Sequence, residues 1–297
     1  MSRSVEIFQV DAFTDQPFTG NPAGVVLGAD VLDSHEMQLI ARELNNGDTA
    51  FVLPPYGADH DISIRFFTPR KEANFVGHAT LAAHAVLQTR EPRERRRQRG
   101  NSGVVEVQAL PDGRLRIRQQ PAPLEREPTA DELDRVIDAV GLSRPRLDPH
   151  CPARIVGGSS TRLLVGLQSA LDLAALAPRM DALSQLSAQI GAQGYFFFTR
   201  RTAARGCDVE SRMFCPAIGI NEDPVSGNAY AMLGHYLFTL GLLETQEGCA
   251  RFSGAQGDSL SRPGQVDVEV QADAEGRAQS VSIAGRAKIV FASRLTL

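Results

Sequence analysis

One short pattern occurs twice in this chain, and it limits the possible folds more than any other feature. RFFTP, residues 65–69, is followed after seven residues by GHATLAAHAVL; RMFCP, residues 212–216, is followed after ten by GNAYAMLGHYLF. In each copy a strand-like segment ending in proline leads through a loop to a Gly-polar-Ala helix start. Self-similarity of this kind marks duplicated architecture. Both helices are apolar nearly all round: Ala79, Leu81, Ala82, Ala83 and Val86 in one, Ala229, Met232, Leu233, Leu237 and Phe238 in the other. A helix with one apolar stripe lies on a surface, whereas one apolar on every side has to be enclosed. The expected class is α+β, with two similar lobes, each a curved sheet around a central helix.

The remaining segments fit that plan. SVEIFQVDAF (4–13) and DISIRFF (61–67) read as strands, the second by clean alternation. Between them, residues 34–46 form an amphipathic helix with Met37, Ile40, Ala41 and Leu44 on one face. Asp33 and Glu36 make a capping-box start, and Gly47 is the expected stop. Asp48 then stands just beyond the helix and just before the strand TAFVL. GVVEVQAL and GRLRIRQQ flank Pro111-Asp112-Gly113, a hairpin signal.

QQPAPLEREP, residues 119–128, reads as a linker, so the expected division is an N-terminal lobe at 1–122 and a C-terminal lobe at 123–297, with the chain's last strand open to joining the first lobe. Thr129 and Glu132 open a helix that ends at Gly141, and RLLVGL (162–167) and YFFFTR (195–200) bracket another near residues 181–191. VDVEVQA, SVSIAG and AKIVFASRLTL close the chain as strands.

Charge and cysteine usage exclude several function classes. A net charge of −4 gives no reason to expect nucleic acid as a partner. The one basic run, REPRERRRQRG (90–100), has interleaved glutamates and no aromatics, and reads as a solvated loop. Cys151, Cys207, Cys215 and Cys249 lie far apart, without the spacing of a disulfide framework or a zinc site. No apolar run is long enough to span a bilayer, and no signal segment precedes the first strand. No dinucleotide, P-loop or metalloprotease motif occurs. The expectation is a cytoplasmic protein with no cofactor, no metal, and no nucleic-acid or membrane partner.

The chemistry concentrates at the two repeated helix starts. A helix leaves its first N–H groups without intrahelical partners, and its dipole makes that end partly positive. Glycine there admits a close ligand. Two such ends, Gly77-His78 and Gly227-Asn228, facing each other across a cleft would grip a small carboxylate. A single glycine would merely ease the turn into its helix; the duplication favours function. His78 and Asp223 sit beside these ends, and each alone would be a packing or capping residue. Together with Asp48 they supply an acid or base plus donors for developing charge.

GNPAGVVL (20–27), RELNNGDTAFVL (42–53), FFTPRKEANFVGHAT (66–80), MFCPAIGINEDPVSGNA (213–229) and QGDSLSRPG (256–264) resemble, in order, the PhzF family of phenazine biosynthesis. The resemblance runs over essentially the whole chain. It implies the diaminopimelate-epimerase-like fold: two pseudo-symmetric lobes, each a curved, mostly antiparallel sheet or barrel around a central buried helix. It also implies cofactor-free isomerisation or epimerisation by proton transfer at carbon in a small carboxylic acid, and a homodimer. The family's proton-moving carboxylate corresponds to Asp48, where the family usually has glutamate. Its histidine corresponds to His78, its second acid to Asp223, and its backbone carboxylate grip to Gly77 and Gly227. Asn228 replaces a small hydroxyl residue. Related racemases carry cysteines just before the two glycines; Val76 and Ser226 stand there, which argues against two-thiol chemistry.

Two other readings use specific residues. The shorter Asp48 and the changed Asn228 would suit a binding module that has lost catalysis. GDSL, residues 257–260, matches the opening of a serine-esterase family, but it falls late in the chain and no G-x-S-x-G elbow accompanies it.

Overall fold

Alternating strands make the walls of each unit, and a helix buried along most of its length fills each. The computed structural model describes residues 3–158, 160–202 and 206–297. The chain forms two compact units, Met1–Gln119 with Ile283–Leu297, and Gln120–Ser282.

In the first unit β1 (Ser4–Ala12) pairs antiparallel with β2 (Asn21–Leu27). Helix α1 (Ser34–Leu44) starts with the expected capping box, Asp33 accepting from the Glu36 N–H and Glu36 from the Asp33 N–H. Its stop differs from expectation. Asn45, at φ 51°, takes the left-handed cap position in place of Gly47, a role asparagine tolerates well. Strand β3 (Asp48–Leu53) therefore begins at Asp48 itself and runs parallel to β2. β4 (Ile62–Phe67) and the short β5 (Glu72–Ala73) follow antiparallel.

Helix α2 (Gly77–Arg90) is buried from Gly77 through His84 and again at Val86. Ala79, Ala82, Ala83 and Val86 pack against Phe8, Val25, Ala50 and Phe66. Alanines keep the helix thin enough for strands to approach it from several sides. β6 (Arg95–Gly100), β7 (Gly103–Ala109) and β8 (Leu115–Gln119) form an antiparallel ladder, with the expected turn between the last two.

The arginine run is therefore not the solvated loop its composition suggested. Most of it is β6, with Arg96 and Gln98 buried between exposed Arg95 and Arg97. Arg96 Nη2 donates to the Glu91 carbonyl at the end of α2, 2.8 Å away. His84 Nε2 donates to Gln98 Oε1 at 2.8 Å, and Gln98 Nε2 donates to the Thr80 hydroxyl at 3.1 Å. The strand's inward face is polar because the helix it covers offers carbonyl and imidazole partners.

The second unit opens with α3 (Ala130–Ala139), capped by Thr129 and Glu132 as expected. β9 (Arg154–Val156), β10 (Arg162–Leu167), α4 (Ala170–Ala174), α5 (Met180–Ile190), β11 (Gly194–Thr199), β12 (Val209–Cys215) and β13 (Ile220–Asp223) follow. β10 and β11 run parallel, and β11 and β12 antiparallel. One face of these strands packs on α3 and α5 through Leu163, Val165, Tyr195, Phe197, Val136 and Leu183.

The other face covers α6 (Gly227–Thr239), where Phe196 meets Tyr230 and Phe198 meets Tyr236 edge to face. β14 (Thr245–Gln246), β15 (Cys249–Gln256) and β16 (Gly264–Ala272) continue antiparallel. Within β17 (Ala278–Gly285) the chain passes back to the first unit, and β18 (Ala287–Thr296) pairs along the whole of β1. Each unit thus holds one buried helix of the repeated pattern. No helix among the described residues is long and apolar enough to cross a membrane.

Candidate active site

Parallel pairing sets Asp48 opposite Ala23 of β2, at the first position of its strand. Its placement depends on Gly24: a Cβ there would lie 2.8 Å from the Thr49 hydroxyl and 2.9 Å from Leu44 Cδ1. Without a side chain at Gly24, the end of α1 and the start of β3 close onto β2. Thr49 faces that side, so period-2 alternation sends Asp48 to the opposite face, toward α2.

There Val76 caps α2 in an extended conformation without any side-chain hydrogen bond, and Gly77 and His78 are the first helical residues. Asp48 is 7% exposed and His78 9%. His78 Nε2 lies 3.8 Å from Asp48 Oδ2, beyond hydrogen-bond length, and has no hydrogen-bond partner. Burial pushes the His78 imidazole down to about 4, so the ring is neutral at pH 7. A buried polar nitrogen left unpaired costs about 1–3 kcal/mol. Here it stands one residue inside the positive end of a 14-residue helix and beside a carboxylate. This arrangement can hold an anionic group at the helix start and exchange a proton with it.

The second unit arranges its helix start differently. Asp223 ends β13 opposite Met213, half-buried. Ser226 is the helix cap, its hydroxyl accepting from the Ala229 N–H at 3.3 Å, so capping falls to serine rather than to Asp223. Gln256 ties the turn between them. Its Nε2 donates to the Asp223 carbonyl at 2.7 Å, and its Oε1 accepts from the Ser226 N–H at 3.2 Å. The Ser211 hydroxyl donates to the same oxygen at 3.3 Å and lies 2.7 Å from the Tyr230 hydroxyl. Gly227 is the first helical residue and Asn228 follows it, half-buried.

The structure thus brings Asp48, Gly77 and His78 together in the first unit, and Asp223, Gly227 and Asn228 in the second. Gln256 was missed as a supporting residue, although it opens the motif QGDSLSRPG. Its signal is a glutamine at the end of a strand, where its two-sided amide can join a carbonyl and an N–H.

Cys215 is 1% exposed, and burial pushes its thiol up to about 12, which leaves it a small apolar residue. Val76 and Ser226 do occupy the two cap positions. The Ser259 hydroxyl donates to Glu222 at 2.6 Å, and Arg212 holds that carboxylate with two contacts of 2.9 Å. Ser259 has no histidine partner among the described residues, so the hydrolase reading lacks its base. No group of three or more His, Cys, Asp or Glu among the described residues is arranged to hold a metal ion.

Comparison with known proteins gives the family and the fold. The family model described as phenazine biosynthesis-like protein, PhzC-PhzF, matches residues 10–293. An uncharacterized isomerase of Clostridium acetobutylicum is 36% identical over 302 aligned positions, spanning 100% of both chains. The crystal structure of a PhzF-family phenazine biosynthesis protein from Bacillus anthracis superposes with a TM-score of 0.88 at 26% identity, covering 99% of this chain and 100% of that one. A hydroxyproline epimerase from Agrobacterium vitis, 14% identical, covers 99% of this chain and 93% of its own at a TM-score of 0.64, a likeness of fold alone. The α+β class and its epimerase-like architecture stand as expected.

Proposed function

The chain belongs to the phenazine biosynthesis-like PhzC-PhzF family, and from that premise we propose that it moves a proton at carbon in a small carboxylic acid. Asp48 is the base, and no cofactor takes part. The observation that carries this reading is the unpaired His78 Nε2 at the start of α2, 3.8 Å from the Asp48 carboxylate.

The physical sequence is short. An acid carboxylate is drawn to the N-terminus of α2, where the helix dipole and first N–H groups favour negative charge. Neutral His78 hydrogen-bonds the substrate without adding a competing cation. Asp48 removes the proton next to the carboxyl group and returns it at another face or another carbon. The charge that develops is stabilised by donors fixed in place before the reaction. The family reading assigns Asp223, Gly227 and Asn228 to the same substrate, Asp223 as the second acid and the other two as contacts.

Asp48 is one methylene shorter than the family's usual glutamate, and proton transfer is sensitive to a misplacement of about 1 Å. Its fixed position on β3 beside Gly24 supports a substrate seated correspondingly deeper.

The test is deuterium wash-in from heavy water into a panel of small carboxylic acids, followed by NMR. Wild type exchanges a C–H proton in at least one acid, and Asp48→Ala slows that exchange about a thousandfold while its fold is retained. Binding without exchange by the wild type would instead favour the drifted binding module.

A further inference from the structure

Among the described residues of the second unit, Arg162 is the one buried cation that the proposed chemistry leaves without a task. Leu163, Val165 and Leu167 of β10 face α3 and α5. Alternation turns Arg162 to the other face, the one that carries Phe196 and Phe198 against α6. Along that face Phe198 meets Tyr236 and Phe196 meets Tyr230, so the row leads toward the start of α6. The next positions in it are Gly194 and its register partner Arg162.

Gly194 leaves space for both neighbours. A Cβ at Gly194 would lie 2.4 Å from Cys215 Sγ, 3.0 Å from Arg162 Cδ and 3.2 Å from Arg162 Nε. Cys215 is the last residue of β12 before the turn that leads through Asp223 to α6. Arg162 and the Cys215 thiol thus lie against the same glycine.

The guanidinium itself is poorly satisfied. Arg162 is 7% exposed; Nη1 donates to the Thr161 carbonyl at 2.8 Å, and Nε is buried with no hydrogen-bond partner. It forms no ion pair among the described residues. A guanidinium removed from water without an anion carries a heavy desolvation penalty, and a bound anion is what repays it.

We propose that Arg162 binds a second anionic group of the substrate at the α6 end of this unit, so that the acid taken is a small dicarboxylate. This rests on the reading that the start of α6 contacts substrate; it does not need Asp48 to be the base. The first carboxylate goes to a helix start, and the second meets the unpaired Nε–H of Arg162. Gly194 leaves the room in which the Arg162 side chain lies.

Isothermal titration with matched pairs, succinate against butyrate and glutarate against valerate, tests this directly. At least one dicarboxylate binds wild type about tenfold tighter than its monocarboxylate, as a charged hydrogen bond warrants. Arg162→Met removes that preference and leaves monocarboxylate affinity within about twofold, while Arg162→Lys keeps part of it. Equal binding of both members of each pair by wild type overturns the proposal, and so does a folded Arg162→Met with the preference intact. Should Arg162→Met fail to fold, the wild-type ratio and Arg162→Lys decide. Dicarboxylate preference with no C–H exchange in any acid would defeat the isomerase reading and leave this one standing. Exchange confined to monocarboxylates would do the reverse.

Discussion

The two repeated helix starts have the same sequence logic and different finishes. At α6 the cap is Ser226, hydrogen-bonded to the third helical N–H, and Gln256 fastens the turn before it. At α2 the cap is Val76, which contributes no side-chain hydrogen bond, and the second helical residue carries an unpaired buried nitrogen. The interiors differ as well. Helix α6 buries tyrosines whose hydroxyls are satisfied, Tyr230 by Ser211 and the Ala255 carbonyl, Tyr236 by the Pro152 carbonyl. Helix α2 buries His78 and His84. A duplicated element has thus kept its enclosure in both copies, while at α6 the cap and turn are tied by side-chain hydrogen bonds and at α2 the helix itself carries the unmet hydrogen-bonding demand. Unmet demand is where chemistry is to be sought.

Acid should separate the copies most strongly. His78 and His84 are each held near 4 by burial, against about 6.5 for an exposed histidine. Below 6.5 the unfolded chain takes up protons that the folded chain refuses. Stability is therefore intact above that pH and falls as pH drops toward 4, by about 3 kcal/mol for each imidazole. Amide hydrogen exchange at pH 4.5 should show α2 opening before α6. Equal protection of both helices would show that the buried imidazoles do not set acid stability.

Replacing His78 by leucine removes the unpaired nitrogen and its hydrogen bond to substrate together. Proton exchange should fall about a hundredfold, with thermal stability unchanged or raised. A loss of both activity and folding would mean that the imidazole is a packing residue. The smallest effects come from exchanging the caps. Ser226→Ala should cost about 1 kcal/mol of stability. Val76→Ser should add up to about 1 kcal/mol while weakening anion binding, because the new hydroxyl competes for the helix N–H groups. If both substitutions change stability alike and leave binding untouched, the contrast between the two helix starts has no functional content.

Much of this was legible in the residues, for reasons that differ by site. The capping boxes at Asp33 and Thr129 are local, four residues long, and need nothing from the rest of the chain. The enclosed helices announced themselves because Ala79–Val86 has no polar face to give to water. β6 was illegible: RRRQRG contains no apolar residue, and its burial depends on partners in α2, His84 and the Glu91 carbonyl, that periodicity does not reveal. Arg162 was hidden for a related reason. It begins the apolar run RLLVGL, where one charge at a strand end looks like an exposed boundary, and only the register with Gly194 turns it inward. The stop at Asn45 rather than Gly47 reflects two residues able to cap one helix, a choice that tertiary contacts make. Asp48 could be nominated from sequence, but its approach to His78 depends on Gly24 and the parallel pairing of β2 and β3.

The central claim is that Asp48 moves the proton. Its most direct test is the rate of solvent deuterium entry into a bound small acid, measured for wild type and for Asp48→Asn, which keeps the shape and removes the charge. Exchange in wild type, reduced about a thousandfold in Asp48→Asn with acid affinity preserved, is the predicted result. Exchange at the wild-type rate in Asp48→Asn would contradict it.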